Sequence, residues 1–570
     1  MSAYIPSSVL SAAAALAIAG TIVTNCALAD TPSLVLINGK VITLDASSTV
    51  ASALAIRDDS ILAVGNNQIV KQAAGPGANV IDLGGRTVIP GLIDSHIHAI
   101  RTALTFGVET DWSAISSLGE GLQIVSDAAK KSPGAWIIVA GGWHEDQVQE
   151  HRGPTGDELA KAAPDNPVFV QHLYDYAALN PKALELLGVD SDSKLPPAGR
   201  LVRDANGRAT GAIHGDLQTY SRLYARVANP DFAGQVSGTQ AFFKALNSVG
   251  VTGIIDAAGG GMPPANYYPL FQVWQQGNLS VRVAFYVNGQ TPGQEVKDVK
   301  EYFQLIPSNF GDDKLKILGL GEIVIWGMHD GPAGKNKTFK PKPEALAGLK
   351  ELAAWAAERR LRIQIHSSTN SNAVQILDIF EEINSATPIT DLRWTIAHLE
   401  DAAPETLARM KRLGIGWAVQ DRLYFEGEVW PKVMGMEAAK TAPPIADAIK
   451  AGVIVAGGTD GPRAAPYNPF VTLEWLVTGK TVKGTILRSK EQSPTREQAL
   501  RIHTVNSAWM AGDDGRRGTL EPGKWADLVV LSDDYISVPD DKISQIKALV
   551  VGGKVQHAAP PFSQLTRTPR

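Results

Sequence analysis

The sequence predicts a (β/α)8 barrel that carries a small β-sandwich built from both chain ends and an α/β insertion after the first barrel strand. Three observations predict it. First, apolar runs rich in Val and Ile end in histidines or an aspartate: His96 and His98 in VIPGLIDSHIH, His366 in LRIQIH, His398 in WTIAH and Asp460 in VIVAGGTD. Ligand-type residues at strand C-termini are what such a barrel offers, because its reactive face is the C-terminal end of its strands. Second, the middle of the chain yields eight strand-like runs separated by helical patterns, the number a closed barrel needs. Third, β-rich segments return at both ends of the sequence.

The elements follow in order. Residues 1–29 are apolar and end in Ala27-Leu28-Ala29, a small-x-small cleavage signal, so they read as a secretory leader. No Lys or Arg precedes the apolar stretch, and a membrane anchor is the rival reading. The expected location is exported, periplasmic or extracellular. Cys26 is the one cysteine, so the mature chain has no disulfide and no thiolate ligand or nucleophile.

Residues 30–90 and 515–560 read as the sandwich, with strands in LVLINGKVITLD, SALAIRDDSILAVG, ANVIDLGGRTVIPG, GTLEPGKWADLVVLS and IKALVVGGKVQH. Residues 91–514 read as the barrel. After the strand ending at His96, its strands fall at 251–257, 281–287, 315–325, 361–366, 394–398, 414–420 and 453–460. The helix PEALAGLKELAAWAAERR (343–360) opens on a proline, which suits a first helical turn. Residues 104–240 break the repeat, contain WIIVAGG and VFVQHLY, and read as an α/β insertion roofing the barrel.

Composition narrows the function. With 44% apolar and 19% charged residues in 570 positions, the chain is globular and too long for one ordinary domain. A formal net charge of −5 gives no basic patch and no reason to expect nucleic acid. No second segment is apolar enough to span a membrane, so stable insertion is not expected; a small-molecule substrate is, and self-association is left open. There is no G-x-S-x-G run to suggest a serine hydrolase.

His96-x-His98 places two imidazoles on one face of a strand, since side chains alternate with period two. His366, His398 and Asp460 add three more donors at later strand ends. Imidazoles and a carboxylate suit a borderline divalent ion, zinc by ligand type, as one or two ions.

These motifs resemble the amidohydrolase superfamily. The HxH after PGLID is similar to its opening motif, and GTLEPGKWADLVVL to its closing sandwich segment. The WHEDQ…GPTGDEL…APDNPV stretch resembles the large-insert branch that includes N-substituted formamide deformylase (amidohydrolase family 3). The resemblance implies that His96 and His98 bind a more buried metal and His366 and His398 a second. It also implies that Asp460 binds a metal and takes the proton of the attacking water. A fourth-strand residue, usually a carbamylated lysine, bridges the metals. Aligning the family's Lys-x-x-x-Asp-Gly with Glu322-Ile-Val-Ile-Trp326-Gly327 puts Glu322 there, whereas Lys314 and Lys316 lie at the wrong end of that strand. Trp326 stands where the branch has Asp, and Tyr176 where it has His.

The implied chemistry is attack on an amide or other C–N bond by metal-activated water, with Asp460 as general base and then acid. An ester, lactone or carbamate hydrolase on the same centre is the alternative. A decarboxylase or a non-catalytic metal-binding barrel ranks lower. Substrate-contact candidates are Trp143, His144 and Tyr176 in the insertion, Trp326 beyond Glu322, and Arg463 beyond Asp460, the last able to bind a carboxylate.

Overall fold

The computed structural model describes residues 34–259, 262–331, 338–558 and 562. The expected leader, Cys26 included, lies outside the described residues. Among the described residues no helix is long and apolar enough to cross a membrane.

Eight parallel strands run in sequence order around the barrel: β1 (Leu92–Ile97), β2 (Val251–Asp256), β3 (Arg282–Val287), β4 (Leu315–Glu322), β5 (Arg362–Ser367), β6 (Thr395–His398), β7 (Gly416–Gln420) and β8 (Val455–Gly458). Their sequences look uniformly apolar because both faces are buried. The period of two is still legible in what each residue touches. In β3, Val283, Phe285 and Val287 join the large core under the helices, while Ala284 and Tyr286 face inward with Leu318, Ala397, Ala418 and Ala456. Four alanines in that inner layer leave room for the larger Tyr286 and for Met510, which enters from the helix Val505–Ala511.

The ring closes between β8 and β1 through the residues of the site. Asp460 N donates to His96 O at 2.9 Å, and His98 N donates to Gly461 O at 3.0 Å. Asp94 Oδ1 accepts from both His96 N and Thr459 N, and Thr459 Oγ1 donates to Asp94 Oδ2 at 2.6 Å. Gly458 allows this approach, since a Cβ there would lie 2.5 Å from His96 N.

Between β1 and β2 the chain builds a separate five-stranded sheet, in the order Arg200–Arg203, Ala209–His214, Tyr176–Leu179, Val168–His172, Ile137–Val139. Two further sheets form the sandwich. One has four strands, all from residues 34–82; the other interleaves the chain ends, with Asp527–Leu531 paired to Thr87–Pro90. Leu36, Leu54, Val88, Leu528 and Val530 fill the space between them. The sandwich is tied to the barrel by Arg282 of β3. Its guanidinium donates to Asp527 Oδ2 at 2.7 Å, with the Trp525 ring 3.8 Å away.

Candidate metal centre

Six side chains meet at the C-terminal mouth of the barrel, all of them buried: His96 and His98 from β1, Glu322 from β4, His366 from β5, His398 from β6 and Asp460 just past β8. Glu322 is central. Its Oε1 lies 3.2 Å from His98 Nε2, and its Oε2 lies 3.1 Å from His398 Nε2, 3.2 Å from His366 Nδ1 and 3.5 Å from His96 Nε2. Asp460 Oδ1 is 3.2 Å from His98 Nε2 and 3.7 Å from His96 Nε2. Donor atoms lie within 4.8 Å of one another in three overlapping sets: His96–His98–Glu322, His96–His398–Asp460 and Glu322–His366–His398.

Three of the rings are steered from behind. His96 Nδ1 faces Gln364 Oε1 at 2.7 Å, and His98 Nδ1 faces the Ala258 carbonyl at 2.5 Å. His366 Nε2 faces Asp330 Oδ1 at 3.2 Å. Asp330 is itself held by the amides of Ser368 and Thr369 and by the Thr369 hydroxyl. Occupying the outer nitrogen fixes the tautomer, so the inner nitrogen carries a lone pair toward the common point. The His96 Nε2 atom is buried and has no hydrogen-bond partner. A buried orphan acceptor among carboxylate oxygens is what a cation site requires, and the donor set of four imidazoles and two carboxylates fits a divalent ion.

The electrostatics agree. Burial alone would raise the Glu322 carboxyl, yet the surrounding His96, His366, His398 and His98 hold it well below the usual range. Asp460 is likewise held down against burial by His98, His398 and His96. Burial pushes His96 down, and burial with the His366 charge pushes His398 down to about 4. Against burial, Asp460 and Glu322 raise His98, and Asp330 and Glu322 carry His366 up to about 10. Both carboxylates are thus held ionised among the imidazoles, and a divalent cation would bind the imidazoles in their neutral form. His398 and Asp460 also hold left-handed backbone, at φ 72° and 55°. Strain of this kind in non-glycine residues concentrates at functional sites.

Comparison with known proteins places this arrangement. The model of the amidohydrolase family matches residues 79–557. The chain belongs to the amidohydrolase family. It is therefore a metal-dependent hydrolase of carbon–nitrogen bonds. It is 26% identical to the N-substituted formamide deformylase of Arthrobacter pascens over 90% of this chain and 96% of that one. It is 27% identical to the protein LONG AFTER FAR-RED 3 of Arabidopsis thaliana over 91% of each. An uncharacterized metal-dependent hydrolase from Pyrococcus horikoshii OT3 shares the fold, with a TM-score of 0.66, 23% identity, and coverage of 89% of this chain and 99% of that one.

The five expected substrate contacts of this amidohydrolase do not converge as the metal-type residues do. Trp143 is fully buried. Its indole donates to Gln171 O at 2.9 Å and packs edge-on against Trp112 and His172, so it is core of the insertion and not a pocket wall. Tyr176 donates its hydroxyl to Glu145 Oε1 at 2.7 Å and stacks on His172. Burial and Glu145 push that hydroxyl's pKa further up, and the contact spends it inside the insertion. His144 Nδ1 caps the turn at Asp146 N, and its ring stacks on Phe425 of the barrel, so it is a contact point between roof and barrel. Arg463 gives both terminal nitrogens to Glu109, at 2.8 and 2.6 Å, with Tyr224 Oη at 3.1 Å. A guanidinium so engaged is a structural ion pair, which corrects its expected role as a carboxylate binder. Trp326 donates its indole N–H to Gly289 O. Trp326 and Arg463 both line a cavity of about 530 Å³ between insertion and barrel, which Arg101, Leu104 and Thr105 wall beside the helix that starts after His98.

Sequence reasoning missed the supporting shell. Gln364 and Asp94 each stand two residues before a ligand-type histidine on the same strand, so parity alone puts them on the inner face. Asp330 and the Ala258 carbonyl carry no such signal. Also missed were Glu400, whose carboxyl burial pushes up to about 8 against the pull of Arg422, and Arg422 itself, two residues past β7 and 3.4 Å from Glu426.

Proposed function

We propose that this amidohydrolase cleaves an amide-type C–N bond of a small molecule, with one or two divalent ions, zinc by ligand preference, held by His96, His98, Glu322, His366, His398 and Asp460. The observation that carries the reading is the convergence of six buried donors around an unpartnered His96 Nε2. When bound, such an ion supplies a water of lowered pKa and polarises a carbonyl. Glu322 presents its two oxygens to histidines on both sides, so an unmodified carboxylate would fill the place between two ions. Lys316 is paired with Asp513 and cannot take it. Asp460 is fully ionised near neutrality and accepts the proton of the attacking water. Its Oδ1 faces His98 and His96, and the carboxylate would return that proton to the departing nitrogen. The cavity beside Arg101 and Trp326 holds the body of the substrate, and the insertion above it restricts water. The name of the Arthrobacter relative supports short N-acyl groups as the first substrates to try. Export with cleavage after Ala29 is part of the proposal, supported by the Ala27-Leu28-Ala29 signal.

The test is elemental analysis of purified enzyme together with turnover of matched N-substituted formamides, acetamides and formate esters. Amide turnover that is lost on chelation and restored by zinc supports the reading. Ester turnover without amide turnover would replace it. Mass spectrometry of exported protein should find Asp30 at the N-terminus.

A further inference from the structure

The cavity between insertion and barrel is lopsided in charge. Arg101, Arg222 and Arg463 line it, and no Asp or Glu does so among the described residues. Arg463 is neutralised by Glu109. Arg222 is exposed and donates from Nη2 to Gln218 Oε1 at 3.3 Å. Arg101 is half-buried and has no carboxylate partner among the described residues. Its Nη2 donates to Tyr174 Oη at 3.0 Å, and its Nε is enclosed with no partner. Its Nη1 also lacks a partner but is not enclosed, so it is a free donor with open surface. Protein structures seldom leave a largely enclosed guanidinium so poorly matched.

The position of Arg101 ties it to the metal centre. It stands three residues past His98, in the helix Ala99–Ala103. A Cβ added to Gly259 would lie 3.3 Å from His98 Nδ1 and 3.5 Å from Arg101 Nη1, so one carbon atom would touch both. Asp256 at the end of β2 does not neutralise the charge. Its Oδ2 accepts from Ile100 N at 2.8 Å and its Oδ1 from Ala258 N at 2.9 Å, and it forms no ion pair with Arg101. Tyr174 lines the same cavity. Its hydroxyl accepts from Arg101, and its own proton goes to no acceptor among the described residues. Nη1 and that O–H are two adjacent unused donors.

We propose that Arg101, with Tyr174, receives a carboxylate on the amine portion of the substrate, so that this enzyme prefers N-acyl amino acids to neutral N-acyl amines. The inference rests on the reading that the cavity holds the body of the substrate beside the metal centre. Under that reading a short acyl group lies at the metal, and the amine portion enters the cavity. A carboxylate answers the unpaired guanidinium through charge-assisted hydrogen bonds, stronger than neutral ones. A cleft lined by one sign of charge also concentrates ligands of the other. A neutral amine portion would leave the guanidinium unmatched, and sites built this way discriminate against such analogues.

N-formylphenylalanine and N-formylphenylalaninamide differ in carboxylate against carboxamide and in little else. On the zinc-loaded enzyme, kcat/KM for formate release should favour the acid by about 10–100-fold, as expected of a hydrogen bond to a charged group. Arg101→Met should bring that ratio to within about threefold at unchanged metal content. Arg101→Lys keeps the charge but loses the planar fork, and should restore part of the ratio. Tyr174→Phe should lower it severalfold. An Arg101 that served only the fold would lower Tm on substitution and leave the ratio alone. 3-Phenylpropionate has no bond to hydrolyse and reads the subsite without turnover. Calorimetric titration should show it binding zinc-loaded wild type, and binding Arg101→Met about 10–100-fold more weakly. The proposal is overturned if acid and carboxamide react equally or if Arg101→Met keeps the wild-type ratio. It is also overturned if 3-phenylpropionate binds Arg101→Met as tightly as wild type, which would put the carboxylate on the metal. Turnover of neither compound defeats the amide reading instead, and the titration then decides the subsite alone. Should Arg101→Met fail to fold, a wild-type ratio in both Arg101→Lys and Tyr174→Phe overturns the proposal.

Discussion

The proposed function gives Asp460 two roles, donor to the centre and proton acceptor, and substitution can separate them. Asp460→Asn keeps an oxygen for the ion but cannot take a proton near neutrality. Turnover should fall by at least ~10²–10⁴-fold while metal content holds. Gln364 is fully buried and aims His96 from behind. Gln364→Leu should weaken metal binding by ~10–100-fold in a competition titration, with the fold intact. Tyr176→Phe should behave differently. The hydroxyl is given to Glu145, so the variant should lose about 1 kcal/mol of stability, read as a lower Tm, with kcat/KM unchanged. At this scale the sequence exposed the histidines because each closes an apolar run. The two-residue spacing exposed Gln364 and Asp94 equally, but both lie inside an apolar run and not at its end, so neither drew notice. Trp143 and Arg463 misled because a large ring or a cation near a strand end looks the same whether its partner is a ligand or another side chain. Glu109, which claims Arg463, is 354 positions away in sequence.

The barrel strands were readable one by one because each is a short apolar run with a helix behind it. β4 overruns furthest at a single end. Its apolar run continues to Ile325, but pairing ends at Glu322, where the chain leaves the sheet to present the carboxylate. Hydropathy cannot mark that point, since Ile323, Val324 and Ile325 are buried too. The closing seam is an element-scale feature with its own test. A side chain at Gly458 would press on His96 N, so Gly458→Ala should open the contact between the first and last strands. The expected cost is ~1–3 kcal/mol, typical of overpacking, accompanied by weaker metal retention. Thermal denaturation with and without added zinc measures both, and a variant as stable and as metal-replete as wild type would show that the seam has slack.

For the molecule as a whole, the Arg282–Asp527 pair joins the barrel to the sandwich in a dry environment. Removing one partner strands the other charge, so Asp527→Ala should destabilise by ~3–5 kcal/mol. The double variant Arg282→Met/Asp527→Leu should recover most of that loss in the same denaturation series. The resemblance of the two chain ends to one sandwich could be seen in their alternating patterns. Which strand lies beside which could not, because pairing partners so far apart leave no local trace. That arrangement also sets an order of events on the ribosome. Thr87–Pro90 leaves the ribosome some 440 residues before Asp527–Leu531, at roughly 5–20 residues per second. For tens of seconds the nascent chain displays an unsealed apolar strand edge, the kind of surface that recruits a holdase or seeds aggregation. The yield of this enzyme in a foreign host should depend more on chaperone supply during synthesis than on the stability of the finished molecule.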